Sequence, residues 1–249
     1  MPASSAERLE RCLPYIFEGE GGYTANPKDP GNWTGGKVGK GTLKGTKFGI
    51  AANSFPDLDI KNLTKAQAAE IYRSRYWDQA GCQLLPDGVD LPIFDVSVNS
   101  GPGRANTFRK ATEAVIEAVA RIKAISGKRR AFYQGLSTFK TFGKGWLARV
   151  SKIEAAAIKM ALAAAGASPV LVAKQLQAEA GLSQTKVKQG TVAATGTTAT
   201  GGAVASQGTD WLQIGLAVAV VAVAVLIALH FIRAHGERAQ AFQAEALKV

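Results

Sequence analysis

The chain has 249 residues, with 30 Lys and Arg against 19 Asp and Glu and a formal net charge of +11. That length holds one or two domains with a sizeable core, and the charge favours an anionic partner: nucleic acid, anionic lipid or an acidic cell-wall polymer. Two cysteines, Cys12 and Cys82, exclude a disulfide framework or a multi-cysteine zinc site. They read as buried thiols, with a single disulfide between them left open. The only two histidines are His230 and His235, so Met1 to Asp210 has no imidazole. Histidine-ligated zinc and Ser-His or Cys-His hydrolysis are therefore closed to that stretch, and carboxylate chemistry remains.

The N-terminal segment MPASSAERLERCLPYIF lacks the continuous apolar run of a secretory signal. Leu9, Leu13, Ile16 and Phe17 instead predict an amphipathic helix over Ser5–Phe17. Gly19, Gly21 and Gly22 end it, and a Gly/Thr/Lys-rich loop or hairpin region follows to about Ile50. Thr64 and Gln67 form a capping-box pattern that starts a helix in NLTKAQAAEIYRSRYW. A buried helix is expected before Gly101 and Pro102. A long helix from Arg104 to Ser126 is expected on the spacing of Phe108, Ala111, Val115, Val119 and Ile122. Two more helices are expected over Lys128–Phe139 and Lys144–Ala165. Little of the chain alternates with period two, so the globular part reads as mainly α.

Composition changes near Gly166. After a short helical piece to about Ala180, GTVAATGTTATGGAVASQGTD reads as a flexible tether, and about 30 residues of such chain reach roughly 30 Å. Trp211 to Ile232 has no Asp, Glu, Lys or Arg and is long enough for a membrane helix, with Trp211 as interfacial anchor and Arg233 as stop. Gly215 and Ala219 have the small-xxx-small spacing that supports helix pairing and hence a homo-oligomer. Arg233, His235 and Arg238 place the tail on the cytoplasmic side and the globular part outside. An anchor inserted late, with the globular part left inside, is the competing topology.

Glu18 and Glu20 flank Gly19 at the end of the first helix. Glycoside hydrolysis needs a carboxylic acid to protonate the leaving oxygen, held protonated by an apolar setting. The negative end of a helix dipole acts in the same direction. A solvated acidic pair at a helix end is the alternative, and the residues alone do not choose between Glu18 and Glu20.

The ordered segments Glu20-Gly21-Gly22-Tyr23, Asp29-Pro30-Gly31 and Thr46-Lys47-Phe48-Gly49-Ile50 closely resemble glycoside hydrolase family 108, the phage and bacterial N-acetylmuramidases. Two later stretches, YWDQAGCQLLPDGVDLPIFDVSVNSGPGRA and FYQGLSTFKTFGKGWLARV, look like the helical peptidoglycan-binding region that accompanies it. The resemblance covers about Leu9 to Val150. It implies a lysozyme-like α+β domain with a small hairpin region, and it selects Glu20 as the catalytic acid. Asn26 stands where the family often has an aspartate, and the loop from Trp33 to Lys44 is longer than in shorter members. Asp29 is then the second candidate, as water-orienting base or as a turn residue. Thr46 is a candidate for orienting water or sugar, or a loop cap. Tyr23, Trp33 and Tyr76 are candidates for stacking on sugar rings or for packing. Asp95 and Asn99, four apart on one helical face, either line the cleft or support the fold.

The expected organisation is a catalytic region over 1–90, a helical peptidoglycan-binding region over 91–165, a short helix and linker over 166–210, a transmembrane helix over 211–232 and a basic tail over 233–249. The expected activity is that of a membrane-tethered endolysin on the inner membrane, cleaving the β-1,4 bond between N-acetylmuramic acid and N-acetylglucosamine. A phage-type enzyme acting from the periplasmic side or carried on a virion fits this expectation. The partners are peptidoglycan and, through the C-terminal helix, a membrane; no cofactor and no metal are expected. A non-catalytic wall-binding or secretion-associated anchor is the alternative. A nucleic-acid binder is disfavoured because no recognition motif is present.

Overall fold

The computed structural model describes residues 3–18, 22–205 and 211–249, with the side chains of 192–218 and 220 excluded. The chain forms two compact units, Met1–Ala114 and Val115–Val249. The described residues are mainly helical, with one two-stranded antiparallel sheet.

The first unit opens with α1 (Ser5–Phe17), which Ser4 and Glu7 start by a reciprocal capping box. Its apolar stripe buries Leu9, Cys12, Leu13 and Ile16. A loop region leads to strands β1 (Thr46–Lys47) and β2 (Ile50–Ala51). Helix α2 (Lys65–Tyr72) begins with the Thr64–Gln67 capping box that its sequence predicts and runs on into one π-helical turn, Arg73–Trp77. Helix α3 (Asp90–Ser100) is buried from Asp90 to Ser97 and is the centre of this unit. Trp77 meets Phe94 of α3 edge-on at 5.2 Å, and its indole N–H donates to Ser5 Oγ at 3.3 Å.

Helices α1 and α3 are tied by a partly buried ion pair. Arg8 Nε donates to Asp90 Oδ2 at 3.0 Å, while Asp90 Oδ1 accepts from the Gly88 and Leu91 amides. Burial, reinforced by Asp87, outweighs Arg8 and raises the Asp90 pKa from 3.8 to about 6. Cys12 and Cys82 are both buried free thiols, and burial pushes both pKa values well up.

Helix α4 (Pro102–Lys110) is short, and α5 (Ala118–Gln134) starts afresh. The single helix expected over Arg104–Ser126 is thus divided. The buried Thr112 turns its hydroxyl back to the Phe108 carbonyl at 2.9 Å, and the Glu117 carboxylate caps the Val119 and Ala120 amides. A β-branched residue that satisfies its own helix end and a new N-cap defeat the periodicity that suggested continuity.

The second unit contains α5, α6 (Phe139–Ala164), α7 (Pro169–Ala205) and α8 (Trp211–Ala246). The segment whose composition suggests a tether is therefore helical as far as Ala205. Among the described residues, no helix is long and apolar enough to cross a membrane. The expected transmembrane helix over 211–232, and the single-pass inner-membrane placement built on it, are corrected accordingly. Trp211 and Gly215 lie outside the residues whose side chains are described.

The described part of α8 has protein partners instead. A Cβ added at Gly190 of α7 would sit 2.9 Å from Ile232 and 3.0 Å from Phe231, a close helix approach that glycine permits. Residues 233–246, expected in a basic tail, are helical and bury Ala239 and Phe242. Arg238 joins the nearly buried carboxylates Glu154 and Glu179, at 2.8 and 2.9 Å, and lies over the Phe242 ring at 4.5 Å. Arg130 also pairs with Glu154, and Lys123 with Glu179.

Two outcomes are expected. Replacing Arg238 with alanine leaves two buried carboxylates short of a partner and lowers stability by about 3 kcal/mol, read by denaturant unfolding of the full chain. Asp90 holds its proton more tightly folded than unfolded. Its stabilisation is complete below pH 4 and lost as pH rises through about 6, a change on the order of 2–3 kcal/mol. Unfolding midpoints across that range fall less steeply in Asp90→Asn than in the wild type.

Candidate active site

The candidate site grows from the end of α1. The helix stops at Phe17, and Glu18 follows as an exposed, extended C-cap. Phe17 meets Tyr72 edge-on at 5.2 Å and lies 6.1 Å from Phe48, so two other elements fix the helix end. Glu20 lies outside the described residues, between Glu18 and Gly22.

Beyond Gly22 the chain is organised around the side chain of Asn32, which has no solvent exposure. Asn32 Nδ2 donates to the Asn26 carbonyl at 3.1 Å, and Oδ1 accepts from Thr46 Oγ1 at 2.7 Å. Its carbonyl accepts from the Lys44 and Gly45 amides, both at 3.0 Å. Thr46 also exchanges two backbone hydrogen bonds with Thr24, at 2.9 and 2.8 Å. One buried amide therefore joins the segment after Gly22, the Asp29-Pro30-Gly31 turn and β1.

Glycine is required at Gly45. Its φ is +82°, and an added Cβ would stand 2.4 Å from the Thr24 carbonyl and 2.7 Å from the Tyr23 ring. At the end of the β1–β2 hairpin, Phe48 and Gly49 both take positive φ, 52° and 72°. Positive φ at both central residues suits a two-residue hairpin, yet Phe48 is an unusual residue for it. The Tyr72 hydroxyl donates to the Phe48 carbonyl at 3.0 Å and helps to hold that conformation.

The expected site residues divide into two groups within this unit. Asp29 Oδ1 accepts from the Gly31 amide at 2.8 Å, an Asx turn, and the residue is exposed. Thr46 is half-buried with its hydroxyl on Asn32. Trp33 is half-buried, and its indole N–H donates to the Pro27 carbonyl at 2.9 Å. Tyr23 is 39% exposed, with its ring beside Gly45. These four share the loop region organised by Asn32.

Tyr76, Asp95 and Asn99 belong to the helical side. Tyr76 lies 5.5 Å from the Tyr72 ring, and its carbonyl accepts from Ser97 Oγ at 3.0 Å. Asp95 is fully buried on α3, and the exposed Asn99 donates its amide to the Asp95 carbonyl at 2.7 Å and to Oδ1 at 3.3 Å. Tyr72 touches both groups, through Phe48 on one side and through Tyr76 and Phe94 on the other. Asn32, Gly45 and Tyr72 escape sequence reasoning. The only local hint of Asn32 is an amide directly after a D-P-G turn.

Residues 13–101, which span both groups, match the family described as Glycosyl hydrolase 108. The solved structure of Brucella abortus SagA is 30% identical, with 63% of this chain and 97% of that chain covered and a TM-score of 0.51. The chain belongs to the glycosyl hydrolase 108 family. It is a glycoside hydrolase, and membership implies a lysozyme-like action on peptidoglycan. No curated protein matches the chain. The family match ends at residue 101, within the first unit, and takes in only 91–101 of the expected peptidoglycan-binding region over 91–165.

The Asn32 linkage predicts a measurable cost. Asn32→Ala strips a partner from the Thr46 hydroxyl and the Asn26 carbonyl. A loss of about 2–4 kcal/mol is expected in denaturant unfolding, together with reduced hydrolysis. A variant as stable and active as the wild type would remove Asn32 from its organising role.

Proposed function

We propose that this glycosyl hydrolase 108 member cleaves the β-1,4 bond between N-acetylmuramic acid and N-acetylglucosamine, with Glu20 as general acid. The observation that carries the reading is the family match over residues 13–101, which includes Glu20 within its Glu-Gly-Gly-Tyr segment. The described flanks of that segment support it. On one side an aromatic contact fixes the end of α1; on the other, Thr24 is bonded to Thr46. Proton transfer by a general acid needs a positioned leaving oxygen, and the fixed flanks on either side of the segment suit that requirement.

The remaining roles follow from chemistry. Glu20 gives its proton to the glycosidic oxygen as the bond to the sugar carbon breaks, and water completes the hydrolysis. Asp29 uses one carboxylate oxygen to hold its turn and offers the other to orient that water. The Thr46 hydroxyl donates to Asn32 and retains acceptor capacity for a sugar hydroxyl. Tyr23 and Trp33 supply ring faces to sugars, with Tyr76 on the helical side. Asp95 fixes the amide of Asn99, which is left to contact the glycan.

Purified peptidoglycan tests the reading. Glu20→Gln is expected to lower the release of reducing ends by at least about 100-fold, with an unchanged thermal midpoint. Glu18→Gln is expected to stay within about threefold. Borohydride reduction and mass spectrometry should find the new ends on muramic acid. New ends on glucosamine would overturn the assigned bond, and full activity in Glu20→Gln would overturn the assigned acid.

A further inference from the structure

The loop from Trp33 to Lys44, long for this pattern, is a built hairpin. Trp33 and Leu43 pair as an isolated bridge at its base. Above them the Thr34 amide donates to the Thr42 carbonyl at 3.0 Å and Gly35 to the Lys40 carbonyl at 3.1 Å, while Lys40 closes the tip on Lys37 at 3.0 Å. The Thr42 amide adds a bond to Thr34 Oγ1 at 2.9 Å. Side chains are excluded where they would spoil this form. A Cβ at Gly41 would lie 2.3 Å from Thr34 Oγ1, and one at Gly35 would lie 2.8 Å from the Lys40 carbonyl.

The charge on this hairpin is one-sided. From Pro30 to Pro56 there is no Asp or Glu, but there are four lysines. Two have structural work. Lys44 Nζ donates to the Pro56 carbonyl at 2.6 Å, and Lys47 Nζ donates to the Lys61 carbonyl at 2.9 Å. The other two, Lys37 and Lys40, are exposed at the tip on either side of Val38, itself 58% exposed. The base of the hairpin continues into Asn32 and Thr46, the centre of the candidate site. The result is a preorganised cationic spur attached to that site.

Peptidoglycan carries its free carboxylates on the peptide stems, while its N-acetylated sugar backbone is largely neutral. We propose that Lys37 and Lys40 form a specificity-determining subsite that binds these stem carboxylates and so selects stem-bearing glycan. The inference rests on the peptidoglycan-hydrolase reading above. It holds the stem equally in the ground state and the transition state, so its signature is in KM and in salt dependence rather than in kcat.

The test uses the full chain and its Lys37→Gln/Lys40→Gln variant. The substrates are native peptidoglycan and peptidoglycan whose carboxylates are capped with methylamine by carbodiimide coupling. On native substrate the variant should show a KM raised about threefold to tenfold with kcat retained, and the wild type should lose the same factor as salt is raised. On capped substrate the two proteins should be equal. Lys37→Arg/Lys40→Arg should restore the wild-type KM. An equal loss on both substrates, or no loss on native substrate, overturns the subsite. Cleavage of capped substrate by the wild type supports the hydrolase reading independently of the spur. If the wild type cleaves neither, that reading fails, and cosedimentation with sacculi decides the spur. Salt-sensitive binding weakened in the Gln variant but not the Arg variant upholds it, and equal binding overturns it.

Discussion

The buried side chain of Asn32 is the constraint on which the candidate site depends. Its amide donates to one segment and its carbonyl oxygen accepts from another, while its backbone oxygen takes two further amides. A buried polar side chain is tolerated when its groups are paired, and here the pairing also sets the geometry. The Asp29 turn, the Thr24–Thr46 bridge and the root of the lysine hairpin all meet at this residue. A region with little regular secondary structure gains a fixed form from one satisfied amide rather than from a sheet.

Packing on the helical side complements that arrangement. The Arg8–Asp90 pair ties α1 to α3, and Phe17, Tyr72 and Phe48 lock the end of α1 against the hairpin. Phe48 sits in a left-handed conformation that side chains seldom adopt, and the Tyr72 hydroxyl bonds its carbonyl. The left-handed Phe48 beside the candidate site is a conformation imposed by its surroundings. Glu18 follows directly on a helix end that is packed against Tyr72 and Phe48.

The second unit shows where composition misleads. A stretch of small, uncharged residues suggests a tether, and an Ala/Val-rich stretch suggests a membrane helix. The chain is helical through Ala205, and the described part of α8 packs against protein and ends in a buried ionic cluster around Arg238. Glycine at 190 allows the contact with Phe231 and Ile232, a feature that hydropathy does not register. The apolar count of a helix cannot say whether its face meets lipid or another helix.

The sequence by itself determined what depends on near neighbours. The absence of histidine before His230 left carboxylates as the available chemistry. The Thr64–Gln67 box placed the start of α2, and the apolar spacing in Ser5–Phe17 placed α1. The ordered motifs around Glu20, Asp29 and Thr46 pointed to the glycosyl hydrolase 108 family that the chain matches. Only the tertiary structure decided which polar groups are buried together. It joined Asn32 to Thr46, Arg8 to Asp90 and Arg238 to Glu154, pairs 14, 82 and 84 residues apart. It also divided the predicted long helix at Thr112 and Glu117. Capping and periodicity act within a few residues, so they are legible in order along the chain. The satisfaction of a buried amide or carboxylate depends on groups that meet only when the chain has folded.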